Sequence, residues 1–197
     1  MSYVENANRI TGRQKFKKNI FLINLLVAGF KTLPKALHVF IWDLVSPFSQ
    51  LPFVGLRYIL LKCLIKKCGD NVRVGKNVNF IYWEFIEIGD NVSIHPNCYI
   101  DGAGGIKIGN DVSIAHNTSI LSADHNWSDY TLPIKYNSVT TKSVFINNDV
   151  WIACGCRILG GVNINSRAIV AAGAVVNRDV RSNAIFGGVP ARLIKEI

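Results

Sequence analysis

The sequence is poor in the features that mark specialised protein classes. Only 18% of its 197 residues are charged while 49% are hydrophobic, which excludes an intrinsically disordered chain. Six prolines and 16 glycines are too few for a collagen-like or low-complexity protein. The five cysteines are odd in number and do not suggest a disulfide framework, and Cys154 and Cys156 lack the spacing of zinc ligands. We interpret the cysteines as small buried residues of a cytoplasmic protein.

Long apolar runs are also missing. A membrane-spanning helix needs about 20 uninterrupted apolar residues, whereas the longest run here contains Asn24 and ends at Lys31. The basic and apolar start of the chain lacks the small-residue cleavage site of a secretory signal peptide. We therefore expect neither a transmembrane segment nor a cleaved leader.

Acidic residues are scarce in the first third of the chain. Residues 1–67 contain eleven Lys and Arg but only Glu5 and Asp43 as acids, so this segment carries the whole formal net charge of +9. Its apolar stretches and prolines predict three helices, near residues 14–30, 33–45 and 53–67. Two interpretations stay open: the helices pack on the main domain or a neighbouring subunit, or they lie on an anionic membrane surface. Nucleic-acid binding is disfavoured, because bulky aliphatic residues are interspersed among the basic ones.

Aliphatic residues recur at intervals of six in the rest of the chain. They are Ile88, Ile94, Ile100, Ile108, Ile114, Ile120, Ile146, Ile152, Ile158, Ile164, Val170 and Val176. A period of six fits neither a helix nor an ordinary strand, but it fits a triangular coil in which each of three short strands sends one side chain to the axis. Turn residues should occupy the corners, as at Asp90-Asn91, Asn110-Asp111, Asn147-Asn148-Asp149 and Gly160-Gly161. The pattern predicts a mainly β fold of about five coils over residues 68–197, interrupted by a long loop at 126–143.

Two further stretches indicate a family. The repeat resumes after the loop with INNDVWIACG, and the chain ends with GGVPARLIKEI. Together with the hexads, these stretches resemble the hexapeptide-repeat acyltransferases, which fold as a left-handed parallel β-helix, and specifically the branch of galactoside and maltose O-acetyltransferases and polysaccharide-modifying enzymes. The resemblance covers residues 69–197. It implies an acetyl-CoA-dependent enzyme that needs no metal, a C-terminal cap over residues 187–197, and a homotrimer with active sites between neighbouring coils.

The resemblance also implies a catalytic base. His125 stands immediately before the loop, where the family places a histidine, and the loop would cover the acceptor site of the adjacent subunit. A neutral imidazole can remove the proton of an attacking hydroxyl at neutral pH, so we expect direct transfer without an acyl-cysteine intermediate. A carboxylate, a carbonyl or His116 would orient the ring, unless His116 is simply exposed. We expect His38 to be structural or at the surface.

Other family positions map onto the two substrate sites. The residues implied for the coenzyme A site are Trp151, Cys154 and Ala172 along the pantetheine arm and Asn177, Arg178, Arg192 and Lys195 near the phosphates. The backbone N–H of Cys154 is the implied donor to the thioester oxyanion. The residues implied for the acceptor site are His95, Asn97 and Asp101, although His95 replaces the asparagine of galactoside-type members.

The resemblance, together with the basic apolar N-terminal segment, implies an acetyl-CoA-dependent O-acetyltransferase acting on a sugar hydroxyl in surface-polysaccharide or lipid-linked oligosaccharide synthesis. The enzyme would be cytoplasmic, and at the inner face of the cell membrane if residues 1–67 bind lipid. N-acetylation of an amino-sugar nucleotide is the alternative reaction, although residues 1–67 lack the βαβ pattern of a sugar-nucleotide domain. A non-catalytic β-helix scaffold is the other alternative, but it would not need His125, the loop, Trp151 and the PAR terminus together.

Overall fold

A computed structural model describes residues 12–197, and these begin with three helices. Helix α1 spans Gly12–Phe30, α2 spans Lys35–Val45 and α3 spans Leu51–Leu64. Residues 1–11, the start of the basic segment, lie outside the described residues. Pro34 directly precedes α2 and Pro52 lies in the first turn of α3, where a helix does not use the N–H that proline lacks.

The third helix departs from its predicted range of 53–67. It begins at Leu51 and ends at Leu64, and Ile65 is extended, with φ −88° and ψ 160°. The next amide, that of Lys66, donates a hydrogen bond to the carbonyl O of Ile86 at 3.1 Å. Pairing with a neighbouring strand therefore replaces the last helical turn, a tertiary effect that overrides local helix propensity.

Nineteen short strands follow, and fifteen of them form five coils of three strands each. The first three coils consist of β1 (Lys67–Cys68), β2 (Arg73–Val74) and β3 (Asn79–Ile81); β4 (Ile86–Ile88), β5 (Ser93–Ile94) and β6 (Tyr99–Asp101); and β7 (Ile106–Ile108), β8 (Ser113–Ile114) and β9 (Ser119–Leu121). The loop contributes β10 (Ala123–His125) and β11 (Val139–Thr141). The remaining strands are β12 (Val144–Ile146), β13 (Trp151–Ile152) and β14 (Arg157–Ile158); β15 (Asn163–Ile164), β16 (Ile169–Val170) and β17 (Val175–Val176); and β18 (Ala184–Gly187) and β19 (Arg192–Glu196).

Strands at equivalent positions in successive coils pair in parallel and form the three faces of a prism. Face A has the order β1-β4-β7-β12-β15, face B the order β2-β5-β8-β13-β16-β18-β19, and face C the order β3-β6-β9-β14-β17. We call the prism edge between faces B and C of one coil the B–C edge, and the edge from face C to face A of the next coil the C–A edge. The predicted parallel β-helix is confirmed, with five complete coils and β18 beginning a sixth.

The axis of the prism is filled by the hexad residues. All twelve of these aliphatic side chains are at most 2% exposed, so each coil buries a layer of apolar surface against the next. Several of the predicted corners adopt the left-handed conformation, with positive φ at Asn91, Asp111, Asp149 and Gly161. Asn and Asp tolerate this conformation better than other non-glycine residues, and glycine adopts it without steric cost.

The helices share one hydrophobic core with the first coils. Leu60, Leu61 and Leu64 of α3 and Trp42 of α2 are buried in the same cluster as the hexad residues, and the Trp42 ring packs edge-on against Trp83 with centroids 5.0 Å apart. His38 is buried, as a structural residue should be, and its Nε2 lies 2.8 Å from the carbonyl O of Phe30. The inner faces of α2 and α3 therefore pack on the coil, whereas the outer sides of α1 and α2 stay exposed.

Candidate active site

His125 lies where the long loop leaves the C–A edge. It ends β10, which pairs with β11 as an antiparallel hairpin, and His125 is directly opposite Val139. The imidazole side chain is exposed. Within the described residues it makes no hydrogen bond to a carboxylate or a carbonyl, so a group that orients the ring within residues 12–197 is not apparent.

The loop beyond the hairpin is organised by the buried side chain of Asn137. Its Oδ1 accepts a hydrogen bond from the Asp129 amide at 3.1 Å, and its Nδ2 donates to the carbonyl O atoms of Asp129, Leu132 and Pro133 at 3.1 to 3.3 Å. One amide side chain thus replaces the backbone hydrogen bonds that an irregular loop lacks. The loop in turn exposes large apolar side chains, which are Trp127, Tyr130, Leu132, Ile134, Tyr136 and Val139.

Asp101 lies on the same edge as His125, one coil earlier. Asp101 is in register with Leu121 of β9, and its carbonyl O accepts a hydrogen bond from Ser122 Oγ at 2.6 Å. Ser122 Oγ also accepts the Gly104 amide at 2.8 Å. The strand that leads into His125 is therefore fixed to the coil beneath it, and one predicted acceptor residue is brought to the same edge as the predicted base.

A different edge carries His95, Asn97 and two of the residues implied for the pantetheine arm, Cys154 and Ala172. On the B–C edge, the Gly155 amide donates to His116 O and the Gly173 amide donates to Cys154 O, each at 2.9 Å. Cys154 and Ala172 therefore occupy equivalent corners of adjacent coils, as their separation of 18 residues predicts. His116 lies one coil before Cys154, so any contact of His116 with His125 would have to come from another chain.

The corners at Cys154 and Ala172 leave backbone groups accessible. Gly155 and Gly173 both have φ +71°, and among the described residues the amide N–H groups of Cys154 and Ala172 donate no hydrogen bond. Cys154 is only half-buried at its corner. The expectation that all cysteines are buried is therefore wrong for Cys154 and also for Cys63 and Cys68, whereas Cys98 and Cys156 are buried.

The remaining residues implied for coenzyme A are spread over the surface. Trp151 projects from face B with 51% of its surface exposed and lines a cavity of about 330 Å³ together with Arg167 and Ile197. Asn177 and Arg178 are exposed on the C–A edge after β17, and Arg192 and Lys195 are exposed on β19. A single chain therefore divides the implied donor site between two edges and the end of face B.

Sequence reasoning missed three basic residues that lie near His95. Arg57, Arg73 and Lys76 line the same cavity as His95. A signal for Arg57 was present, because Arg57, Leu60, Leu61 and Leu64 share one side of a helix at spacings of three, four and seven residues. A residue at such a position faces the core, which is where α3 places Arg57.

No family model matches the chain. It is similar in structure to a maltose O-acetyltransferase from Clostridium difficile 630, with a TM-score of 0.72 and 25% identity over 93% of this chain and 89% of the other. A hexapeptide-repeat acetyltransferase from Vibrio cholerae O1 biovar eltor, complexed with acetyl coenzyme A, has a TM-score of 0.70 and 25% identity over 95% and 98% of the two chains. The galactoside O-acetyltransferase of Escherichia coli K12 is 32% identical over 152 residues, which are 73% of this chain and 70% of that protein. The chain belongs to the hexapeptide-repeat acetyltransferases.

Membership of the hexapeptide-repeat acetyltransferases makes the protein an acyltransferase and sets aside the non-catalytic scaffold. The similarity extends through the N-terminal helices, because the two aligned structures cover 93% and 95% of the chain. Among residues 12–197, no helix is both long and apolar enough to cross a membrane.

Proposed function

We propose that this hexapeptide-repeat acetyltransferase transfers an acetyl group from acetyl-CoA to a sugar hydroxyl, in surface-polysaccharide or lipid-linked oligosaccharide synthesis. The observation that carries the proposal is the 32% identity to a galactoside O-acetyltransferase over 73% of the chain. The position of His125 also supports the proposal. This histidine stands at the base of a loop that exposes aromatic side chains, so a candidate base lies beside a surface on which a sugar can bind.

The coil corners suit the donor substrate. Acetyl-CoA supplies an acetyl group activated as a thioester. The unpaired N–H groups at Cys154 and Ala172 are available to its amide and thioester oxygens, and the exposed Arg178, Arg192 and Lys195 are available to its phosphates. The small residues at both corners leave the backbone open to a ligand.

His125 serves as the general base of direct transfer. Its imidazole accepts the proton of the sugar hydroxyl while the hydroxyl oxygen attacks the thioester carbonyl carbon, and the carbon–sulfur bond breaks as coenzyme A leaves. The N–H of Cys154 donates a hydrogen bond to the carbonyl oxygen as negative charge develops on it. The thiolate of coenzyme A then takes up a proton from the imidazolium.

Direct transfer requires the base and the donor groove to be close, yet His125 and Cys154 lie on different edges of one prism. The C–A edge of one protomer and the B–C edge of its neighbour would bring them together. We therefore expect a cyclic homotrimer with one site at each of its interfaces. Light scattering of the purified protein measures its mass, and a monomer at working concentrations would contradict this arrangement.

A coenzyme A release assay tests the reaction. With a panel of sugars, amino-sugar nucleotides and polysaccharide fragments, we expect O-acetylation, and replacing His125 with alanine should lower turnover about 10²- to 10⁴-fold while coenzyme A still binds. The matched control is Ser128→Ala on the same loop, which should leave turnover unchanged. Turnover of the His125→Ala variant within about threefold of the unsubstituted enzyme would remove His125 from the mechanism, and acetylation of an amino-sugar nucleotide alone would favour the N-acetyltransferase alternative.

The outer surface of α1 and α2 supports activity at an anionic membrane surface. Leu37, Phe40 and Leu44 lie on one side of α2, and Phe40 and Leu44 are 64% and 60% exposed. Phe21 and Leu25 are exposed on α1. No acid occurs between Glu5 and Asp43, whereas basic residues are frequent there. Exposed apolar side chains in a positively charged segment match the chemistry of an anionic lipid surface.

Vesicle co-sedimentation tests the membrane contact. We expect binding to vesicles containing phosphatidylserine, weak binding to pure phosphatidylcholine, and a loss of about tenfold or more in affinity for the double variant Phe40→Ser/Leu44→Ser. The matched control is Ile134→Ser on the loop, which removes a side chain of similar exposure. No vesicle binding by the unsubstituted protein would contradict the proposal, and dissociation of the oligomer by the double variant would identify the surface as a subunit interface instead.

A further inference from the structure

A cavity of about 180 Å³ lies between α3 and the start of the B–C edge. Its charged and titratable lining residues are Arg57, Arg73, Lys76 and His95, and none of the described residues that line it is acidic. We call this cavity the basic pocket. One water molecule takes up about 30 Å³ in the liquid, so the basic pocket has room for a group considerably larger than water.

Arg57 forms the buried wall of the basic pocket. Its Nη1 donates to the carbonyl O atoms of Val45 and Phe48, and its Nε donates to that of Val74. Its Nη2 is buried and has no hydrogen-bond partner among the described residues. Burial and the neighbouring charge of Arg73 both lower the pKa of Arg57. The guanidinium is therefore a buried cation that has carbonyl partners but no acidic partner among the described residues.

The two exposed cations at the rim are also without acidic partners. Among residues 12–197, neither Arg73 nor Lys76 forms an ion pair, although Lys62 and Lys66 beside the first coil pair with Asp70 and Glu87. The His95 side chain completes the rim from the second coil. Concentrating positive charge in a partly enclosed cavity without a carboxylate is unfavourable for the isolated protein and favourable for binding an oxyanion.

We propose that the basic pocket binds a carboxylate or phosphate group carried by the acceptor sugar. The proposal rests on the function proposed above and narrows its acceptor to acidic or phosphorylated sugars. An arginine side chain recognises either oxyanion through parallel N–H donors. A neutral sugar would leave these cations without a partner, so the basic pocket discriminates against it.

Equilibrium binding provides a test that does not depend on turnover. The probes are glucuronate, glucose 1-phosphate and glucose, measured by ligand-observed NMR with the full-length protein. We expect at least one anionic probe to bind about tenfold tighter than glucose, and Arg73→Ala and Lys76→Ala each to weaken it by about 10-fold or more. The comparison of glucuronate with glucose 1-phosphate identifies which oxyanion is preferred.

The matched control is Lys107→Ala, which removes the same charge from face A, and it should leave the binding of the anionic probes unchanged. Equal binding of all three probes, no binding of either anion, or full retention of anion binding in Arg73→Ala would overturn the proposal. If Arg73→Ala instead binds coenzyme A more weakly and still binds the anionic sugars, the basic pocket belongs to the coenzyme A site. That outcome would overturn the proposal as well. His125→Ala should lose turnover but keep anion binding, which separates failure of the chemistry from failure of the basic pocket.

Discussion

Replacing Arg57 with methionine should destabilise the fold, because its guanidinium joins three separate parts of the chain. The Phe48 and Val74 carbonyl O atoms, in the turn after α2 and on β2, would lose the donor that Arg57 supplies, and the Val45 carbonyl O at the end of α2 would keep only the Phe48 amide at 3.3 Å. Each orphaned acceptor costs about 1–3 kcal/mol. Removing a buried charge returns several kcal/mol, and the methionine retains most of the apolar volume. We expect a net loss of about 2 kcal/mol, which is a substantial part of the roughly 5–15 kcal/mol that stabilises a typical domain.

Urea unfolding followed by circular dichroism measures this loss, at one fixed protein concentration because assembly contributes to stability. With a denaturant dependence of about 2 kcal/mol per molar urea, the midpoint should fall by about 1 M. Arg57→Lys retains the charge but not the several N–H donors of the guanidinium. Its urea midpoint should therefore lie between those of Arg57→Met and the unsubstituted protein. Arg73→Met is the control, because replacing this exposed side chain should change the free energy of unfolding by about 0.5 kcal/mol or less. An Arg57→Met midpoint no lower than that of Arg73→Met would refute the reasoning.

Three further outcomes concern the loop and the thiols. Asn137→Ala should speed tryptic cleavage after Lys135 severalfold, because four loop hydrogen bonds are lost. Mass spectrometry measures the cleavage rate, and an unchanged rate would mean that Asn137 does not hold the loop. Cys68 is half-buried rather than exposed, and the loss of water around its thiol raises its pKa to about 12, so iodoacetamide at pH 8 should modify Cys68 in urea but not in the folded protein. Coenzyme A should slow the alkylation of Cys154 at its half-buried corner, and equal rates with and without it would remove that corner from the donor site.

The coil was predictable from the sequence because its rule is local. Each hexad places one aliphatic side chain on the axis and one turn residue at a corner, so the spacing of Ile88, Ile94 and Ile100 already describes three faces. The turn residues Asn91 and Asp111 were predictable for the same reason, because each corner of the coil requires a residue that tolerates a tight turn. Tyr82 and Arg167 also have positive φ, and they were not predictable, because tyrosine and arginine have no intrinsic preference for the left-handed conformation.

The candidate site was predictable in its position but not in its surroundings. The failure of the hexad period marked the place where His125 leaves the coil. The hairpin of β10 and β11 gave no signal, because its strands are short, polar and largely exposed. The helical spacing of Arg57 indicates that it faces the core, but only the packing of α3 on β2 brings it beside Arg73 and Lys76 in the basic pocket.

The last strand of face B runs in the opposite direction to all the others in that face. β19 pairs antiparallel with β18 along four residue pairs, with a shift of register between Ile185 and Phe186. A stack of parallel coils could otherwise accept the first coil of another molecule and elongate into a fibre. The reversed strand presents a hydrogen-bonding pattern and register that an incoming parallel coil cannot match along face B. We expect this single reversal to limit end-to-end association along face B in a molecule that repeats one pattern many times.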